Sequence, residues 1–93
     1  MTFIDSYSPL RIYQVDVCYT VSRYNIAVPN ADAIIQTWAN KNHMRWFSSK
    51  TCLGERNVEL DSEQEPARNS LRQLKTLLEP VVQVRYIDLE TLE

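Results

Sequence analysis

From Tyr13 to Val21 the chain alternates with period two. Tyr13, Val15, Val17, Tyr19 and Val21 stand between Gln14, Asp16, Cys18 and Thr20. Successive side chains of a strand point to opposite faces, so this pattern builds one apolar and one polar face. The apolar set is β-branched or aromatic throughout, which predicts a half-buried strand over about residues 10–22. Such a strand needs strand partners at its sides and a second layer over its apolar face. Beyond Arg23 the phase flips, and Tyr24, Ile26 and Val28 become the apolar set. The flip predicts either a bulge or a turn near Ser22–Arg23. A bulge lets residues 22–28 continue the first strand as one long bent strand; a turn gives a hairpin and an additional strand.

The covering layer is visible further along. Ala31, Ile34, Ile35, Trp38 and Ala39 recur at helical spacing, behind Pro29 and Asn30. That predicts a helix with Asn30 as N-cap, Asp32 in its first turn, Lys41 in its last and an end near Asn42. Met44, Trp46 and Phe47 predict a short strand at about 43–49. Val58 and Leu60, alternating with Asn57 and Glu59, predict another, and Lys50 to Glu55 read as the turn between them. Ser62-Glu63-Gln64-Glu65 matches a capping box, although Pro66 suits the first helical position better. Ala67, Leu71, Leu74 and Leu78, with Leu77 slightly off the stripe, form the apolar face of a second helix that Pro80 ends. Val82, Val84 and Tyr86 predict a last strand at about 81–89. The order β-α-β-β-α-β, with these lengths, describes an α+β, ferredoxin-like two-layer sandwich. Two helices cover one face of a four-stranded antiparallel sheet whose first and third strands are central.

Residues 1–9 read as a lead-in and 10–93 as a single α+β domain, since a chain of 93 residues carries one core and not two. Its one glycine, Gly54, is a strong constraint, because average usage gives roughly six or seven at this length. Phosphate-cradling and dinucleotide-binding loops need several glycines, so neither is built here. Gly54 falls in the turn between the two short strands, where a positive φ is expected. The two cysteines, Cys18 and Cys52, fit no metal spacing, and a lone histidine, His43, does not complete a zinc set with them. We expect no metal and no cofactor. Free thiols and the absence of a secretion-like leader or a long apolar run point to a cytoplasmic protein.

Net charge is −2, with ten basic and twelve acidic residues, so neither a basic nucleic-acid coat nor an acidic mimic is indicated. The charges are nevertheless grouped. Lys41, Arg45, Lys50 and Arg56 cluster around Trp46 and Phe47, and an acidic run, Glu59, Asp61, Glu63 and Glu65, follows. Interleaved bases and aromatics suit docking of a protein partner, with Arg and Trp as anchors, or weak, salt-sensitive nucleic-acid contact through residues 41–56. The plain alternative puts Met44 and Trp46 in the core and the bases at the surface. Helix capping and dipole matching account for most of the acidic run.

The sheet face away from the helices is the other candidate surface. It is expected to carry Ile12, Gln14, Asp16, Cys18, Thr20, Gln83, Arg85 and Ile87, with Asp16 and Arg85 paired across strands. At most one aromatic, Phe47, joins it, which is poor equipment for stacking RNA bases. His43, just after a helix, reads as a favourable C-terminal charge rather than a catalytic base.

Val15-Asp16-Val17 and the closing Val84-Arg85-Tyr86-Ile87 carry one resemblance. The span from Tyr13 to Leu89 resembles, at the level of fold, the small ferredoxin-like proteins of CRISPR adaptation complexes and their toxin relatives. The resemblance implies a symmetric dimer and metal-dependent nuclease chemistry at Asp16. Asp16 departs from the family's pattern by lying mid-strand, 14 residues before Asn30.

The leading expectation is a small, non-enzymatic protein-binding module: a regulator, an adaptor or an inhibitor of the phage or mobile-element kind. It would dock a protein partner or a second copy, as a homodimer, through Arg45, Trp46, Phe47 and Lys50, with Asp16 and Arg85 on the sheet face. No catalytic residue and no membrane partner are expected.

Overall fold

The computed structural model describes residues 11–22 and 26–92. The expected lead-in over residues 1–9 lies outside them, as do Arg23 and Tyr24 of the phase flip. The elements are β1 (Tyr13–Thr20), α1 (Val28–Lys41), β2 (Arg45–Cys52), β3 (Glu55–Ser62), α2 (Arg68–Leu78) and β4 (Gln83–Thr91). All strand pairs are antiparallel, in the order β2-β3-β1-β4. The first and third strands are central, as expected, and the fold is the α+β, ferredoxin-like sandwich.

The alternation in β1 sets the two layers. Val15, Val17 and Tyr19 are fully buried, and the β3 partners of the two valines, Leu60 and Val58, are buried with them. Ala31, Ile35, Trp38 and Ala39 of α1 and Leu74 and Leu78 of α2 close the core from above. Trp38 also ties the helices together, because its indole Nε1 donates to the Ser70 carbonyl at 2.8 Å.

Several boundaries differ from expectation. Helix α1 starts two residues before Asn30, with Ala27 at the N-cap and no side-chain cap. Pro29 accounts for this: its fixed φ and missing N–H suit the first turn, which leaves Asn30 inside the helix. Asp32 therefore lies past the first turn. Helix α2 starts at Arg68, with extended Ala67 as N-cap, so the capping box does not form. The Ser62 hydroxyl instead donates to the Gln64 carbonyl at the end of β3. The phase flip makes neither a long bent strand nor a hairpin strand among the described residues. β1 stops at Thr20, Ile26 stands exposed in a turn, and Val28 already belongs to α1. The β2–β3 hairpin is longer than the sequence predicts, because its loop has only two residues, Leu53 and Gly54.

Three described residues have positive φ: His43 at 59°, Leu53 at 52° and Gly54 at 80°. Positive φ at both loop positions is the type I′ pattern, which matches the twist of a two-residue hairpin. His43 follows the C-cap of α1, and the Met44 N–H reaches back to the Ala39 carbonyl at 2.9 Å. That is the Schellman arrangement, in which glycine usually takes the left-handed position. In this glycine-poor chain a histidine and a leucine take left-handed turns beside the single glycine.

Bulges shape both edges. In β2 the register slips between Trp46 and Ser48, so Phe47 has no partner opposite it. In the β1–β4 ladder Cys18 pairs with Tyr86 and Tyr19 with Val84, so Arg85 is the extra residue. That bulge overturns one expectation. Ile87 packs against the core beside Leu89, and Tyr86 and Asp88 take the open face in its place.

Candidate functional site: the open face of the sheet

The residues that alternate with the core face away from the helices, and the ladders align them in rows. Lys50, Asn57, Cys18 and Tyr86 form one row from β2 to β4. Ser48, Glu59, Asp16 and Asp88 form the next. Arg45, Asp61, Gln14 and Glu90 form the third.

In the third row Asp61 is the centre of an ionic cluster. Asp61 accepts from Arg11 Nε at 2.9 Å on Oδ2 and from Arg45 Nε at 3.0 Å on Oδ1. Its side chain is 4% exposed, against 37% and 38% for the two arginines. Two cations thus compensate one desolvated carboxylate. The Arg11 guanidinium also lies 3.6 Å from the centroid of the Phe47 ring, a cation–π contact. Arg11, Arg45, Trp46, Phe47 and Asp61 line a depression of about 210 Å³. Asp61 is therefore not a capping residue of the following helix, as its place in the acidic run implies. It is the buried hub of the sheet face.

The first row is closed differently. The Cys18 thiol is buried and lies 3.7 Å from Glu55 Oε1. Burial, and then the Glu55 carboxylate, push its pKa upward. The Tyr86 hydroxyl donates to Asn57 Oδ1 at 3.3 Å. Arg85 does not pair with Asp16: its Nη1 meets Glu55 Oε2 at 2.7 Å, because the bulge aims it toward the Glu55 end of the sheet.

The middle row is open. Asp16 stands opposite Glu59 on one side and Asp88 on the other. Asp16 Oδ1 accepts from Gln14 Nε2 at 2.8 Å, and none of these three carboxylates has an ion-pair partner among the described residues. Ser48, Ser49, Lys50, Asn57 and Glu59 line a depression of about 230 Å³ at the β2 end of the row.

Five of the six residues singled out from the sequence meet on or beside this face. Arg45, Lys50 and Asp16 lie in its rows, Phe47 stands half exposed at its edge, and Arg85 reaches over it from the β4 bulge. Trp46 lies on the other side, opposite Leu60 and partly buried against the core. The basic stretch 41–56 and the sheet face thus coincide only in part: Arg45 and Lys50 lie on the face, whereas Lys41 lines the groove between the helices and Arg56 reaches α1. Two of the four cations in that stretch are tied to carboxylates, Arg45 to Asp61 and Arg56 to Asp32.

Arg56 serves a different junction. Its guanidinium grips Asp32 of α1, with Nη2 to Oδ2 at 2.6 Å, and the Tyr19 hydroxyl donates to Asp32 Oδ1 at 2.9 Å. The Asp32 hydrogen bond raises the Arg56 pKa, and burial, then Asp32, raise that of Tyr19. This is a lock between the helix layer and the sheet.

Glu59 lies on the face beside Asp16, as the sequence pattern implies, and Arg11, Asp61, Tyr86 and Asp88 complete the face without having been singled out. The signal for Tyr86 and Asp88 lies in β4. Val82 and Val84 occupy even positions, whereas Ile87 and Leu89 occupy odd ones. A parity change inside one strand marks a bulge. Nothing in the sequence pairs Asp61 with Arg11 across 50 positions.

Other features are less developed. A groove of about 450 Å³ between the helices is lined by residues including Ile34, Trp38, Lys41 and Leu77. His43 is exposed at the end of α1. Among the described residues, no three His, Cys, Asp or Glu side chains converge closely enough to hold a metal ion, and no helix is long and apolar enough to cross a membrane.

No family model matches this chain, and no curated protein sequence matches it. Among solved structures it is similar to the C-terminal domain of the MgtC protein from Mycobacterium tuberculosis, determined in solution. The two share 16% sequence identity and superpose with a TM-score of 0.58, over 90% of this chain and 89% of that one. At that identity the likeness concerns the fold alone, and it agrees with the βαββαβ architecture described above.

Proposed function

We propose that this domain is a non-enzymatic protein-binding module that docks a protein partner through the open face of its sheet, as a small regulator, adaptor or inhibitor does. One observation carries the reading. The face is preformed: ion pairs fix both ends, at Asp61 and at Glu55, and a row of accessible carboxylates between them makes no ion pair among the described residues. Rigid, prepositioned side chains lose little entropy on binding, which favours recognition. Two exposed aromatics, Phe47 and Tyr86, flank the rows, and aromatic and arginine side chains commonly anchor interfaces. The free cysteines, one buried and one exposed, support a reducing cytoplasm as the setting.

Affinity capture with three tagged forms tests this. The wild type, an Asp16→Lys/Glu59→Lys form and a helix-groove Leu77→Lys form are each checked for folding by circular dichroism. The same partner is expected on the wild type and on the Leu77 form, and it is lost from the Asp16/Glu59 form. Retention by all three, loss only from the Leu77 form, or no retained protein at all overturns the reading.

A further inference from the structure

We infer that the groove between the two helices is a second binding site, and that it takes a free medium-chain carboxylic acid: an apolar tail ending in one carboxylate. The site is separate from the open face and does not rest on that reading. Its shape follows from the helix directions. Trp38, near the end of α1, donates to the Ser70 carbonyl near the start of α2. Ala27 and Val28, at the start of α1, share a depression with Val81 and Val82, just past the end of α2. The helices therefore run antiparallel, and the groove of about 450 Å³ between them has two unlike ends. Ile34 and Leu77 lie toward one end, where Leu77 is left 47% exposed. Lys41 and Asn42 lie at the other, and Trp38 lines the stretch between. Ile34, Trp38 and Lys41 stand at i, i+4 and i+7, on one face of α1. At 1.5 Å per residue Ile34 and Lys41 are about 10 Å apart along the helix, the length of a medium aliphatic chain.

Lys41 selects the head group. A lysine in the last turn of a helix ordinarily compensates the carbonyl end, but at α1 other groups do this. The Trp38 carbonyl accepts from the Asn42 N–H at 3.1 Å and from Asn42 Nδ2 at 2.8 Å, and the Ala39 carbonyl accepts from the Met44 N–H at 2.9 Å. Lys41 makes no ion pair among the described residues. It is also the one charged side chain among the described residues that line the groove. A single cation at the end of an apolar channel is complementary to a single negative charge on an apolar body. A ligand with several phosphates leaves its further charges uncompensated there, and a cationic amphiphile meets Lys41 head on. Gln73, exposed on the α2 wall, adds an amide donor. An apolar lining with a few polar groups, in a volume between about 300 and 1,000 Å³, is the usual make-up of a small-ligand site.

The test titrates decanoate, below the concentration at which it forms micelles, into the isotopically labelled full chain, with decyltrimethylammonium as a control of similar tail and opposite charge. Decanoate is expected to shift the amide signals of Ile34, Lys41 and Leu77 saturably. In a Trp46→Phe protein, checked for folding by circular dichroism, it changes the fluorescence of Trp38. The ammonium compound is expected to bind at least about fivefold more weakly, the scale of one solvated ion pair. Hexanoate is expected to bind at least about tenfold more weakly than decanoate, because fewer methylenes are buried. Lys41→Met removes the preference for the anion, whereas Lys75→Met, which deletes an exposed cation of α2 outside the groove, changes decanoate affinity less than about twofold. Equal binding of the two amphiphiles by the wild type, a Lys41→Met protein that keeps the preference, or shifts confined to the open face overturns the proposal. A mass by light scattering that doubles with concentration for the wild type but not for Leu77→Asp makes a second copy the occupant and overturns it too. If the captured partner is lost only from the Leu77→Lys form, a protein fills the groove, and both this site and the open-face reading fall.

Discussion

Asp61 and Asp16 lie in neighbouring rows of one sheet face, joined through Gln14, and they have opposite surroundings. Asp61 is nearly inaccessible and held by two arginines, one of them stacked on Phe47. Asp16 is half-buried, is held by an amide, and faces two further acids. A carboxylate that is desolvated and doubly paired contributes to the fold, because removing it strands its partners. A carboxylate left among like charges contributes nothing to the fold that a neutral side chain does not. The difference separates the part of the face that holds the sheet together from the part that is free to recognise something.

The largest expected effect tests the structural half of that contrast. Asp61→Ala leaves Arg11 and Arg45 without their shared acceptor and is expected to destabilise the domain by about 3 kcal/mol, the low end for breaking a buried pair, since both arginines are partly solvated. The shift in urea midpoint measures it. A loss under about 1 kcal/mol places Asp61 in the same class as Asp16 and erases the comparison.

Arg56 offers a second structural reference, away from the open face. Arg56→Met leaves Asp32 with only the Tyr19 hydroxyl and is expected to cost about 2 kcal/mol by the same measurement. Because this lock joins α1 to the sheet from the other side, partner capture by the folded Arg56→Met protein is expected to be unchanged. Capture lost with Arg56 but kept without Asp16 places the binding surface on the helix layer.

Most of the fold was legible in the sequence, and the site only in part. Alternation in β1 and the two apolar helical stripes are repeated signals, carried by many residues at once, and each matches its element. Single-residue events were less visible. Asn30 has the right chemistry for an N-cap, yet Pro29 set the helix start, because a fixed φ outweighs one capping hydrogen bond. The β4 bulge moved Ile87 to the core and Tyr86 to the surface, since one inserted residue reverses every side chain after it. Asp61 looked like its neighbours Glu59 and Glu63 because its burial depends on Arg11, which only tertiary structure brings near.

The polar position next to Asp16 in the other direction, Cys18, gives a smaller effect with a definite sign. Burial and Glu55 raise its pKa in the folded state above that of the unfolded chain. The stabilisation from keeping the thiol protonated is therefore complete below the unfolded value and is lost as pH rises toward the folded one. Denaturation midpoints between about pH 8 and about pH 10 are expected to fall more steeply for the wild type than for Cys18→Ala. Parallel slopes mean that this row is as open to solvent as the row of Asp16.

Leu53 is a misfit of a different kind. It is almost fully exposed and has positive φ, so it contributes neither burial nor a favourable backbone. Leu53→Asn supplies the residue a type I′ turn prefers and is expected to stabilise by about 0.5–1 kcal/mol. A Leu53 that also proves necessary for partner capture extends the recognition surface to the hairpin tip, and one that does not confines it to the rows.

The smallest expected effect is the most specific to the contrast. Asp16→Asn keeps an acceptor for Gln14 Nε2 and removes two like-charge contacts at once, with Glu59 and with Asp88. Side-chain pairs in a ladder are worth a few tenths of a kcal/mol, so the variant is expected to be about 0.3 kcal/mol more stable than the wild type at low ionic strength. Screening removes the repulsion, and the two proteins are expected to unfold together in about 1 M salt, where the Debye length is only about 3 Å. Asp61→Asn is expected to remain destabilising in both conditions, because desolvated pairs are screened far less than exposed ones. An Asp16→Asn protein less stable than the wild type at every salt concentration shows that the fold does rely on that carboxylate, and the case for reading the middle row as a recognition surface loses its physical basis.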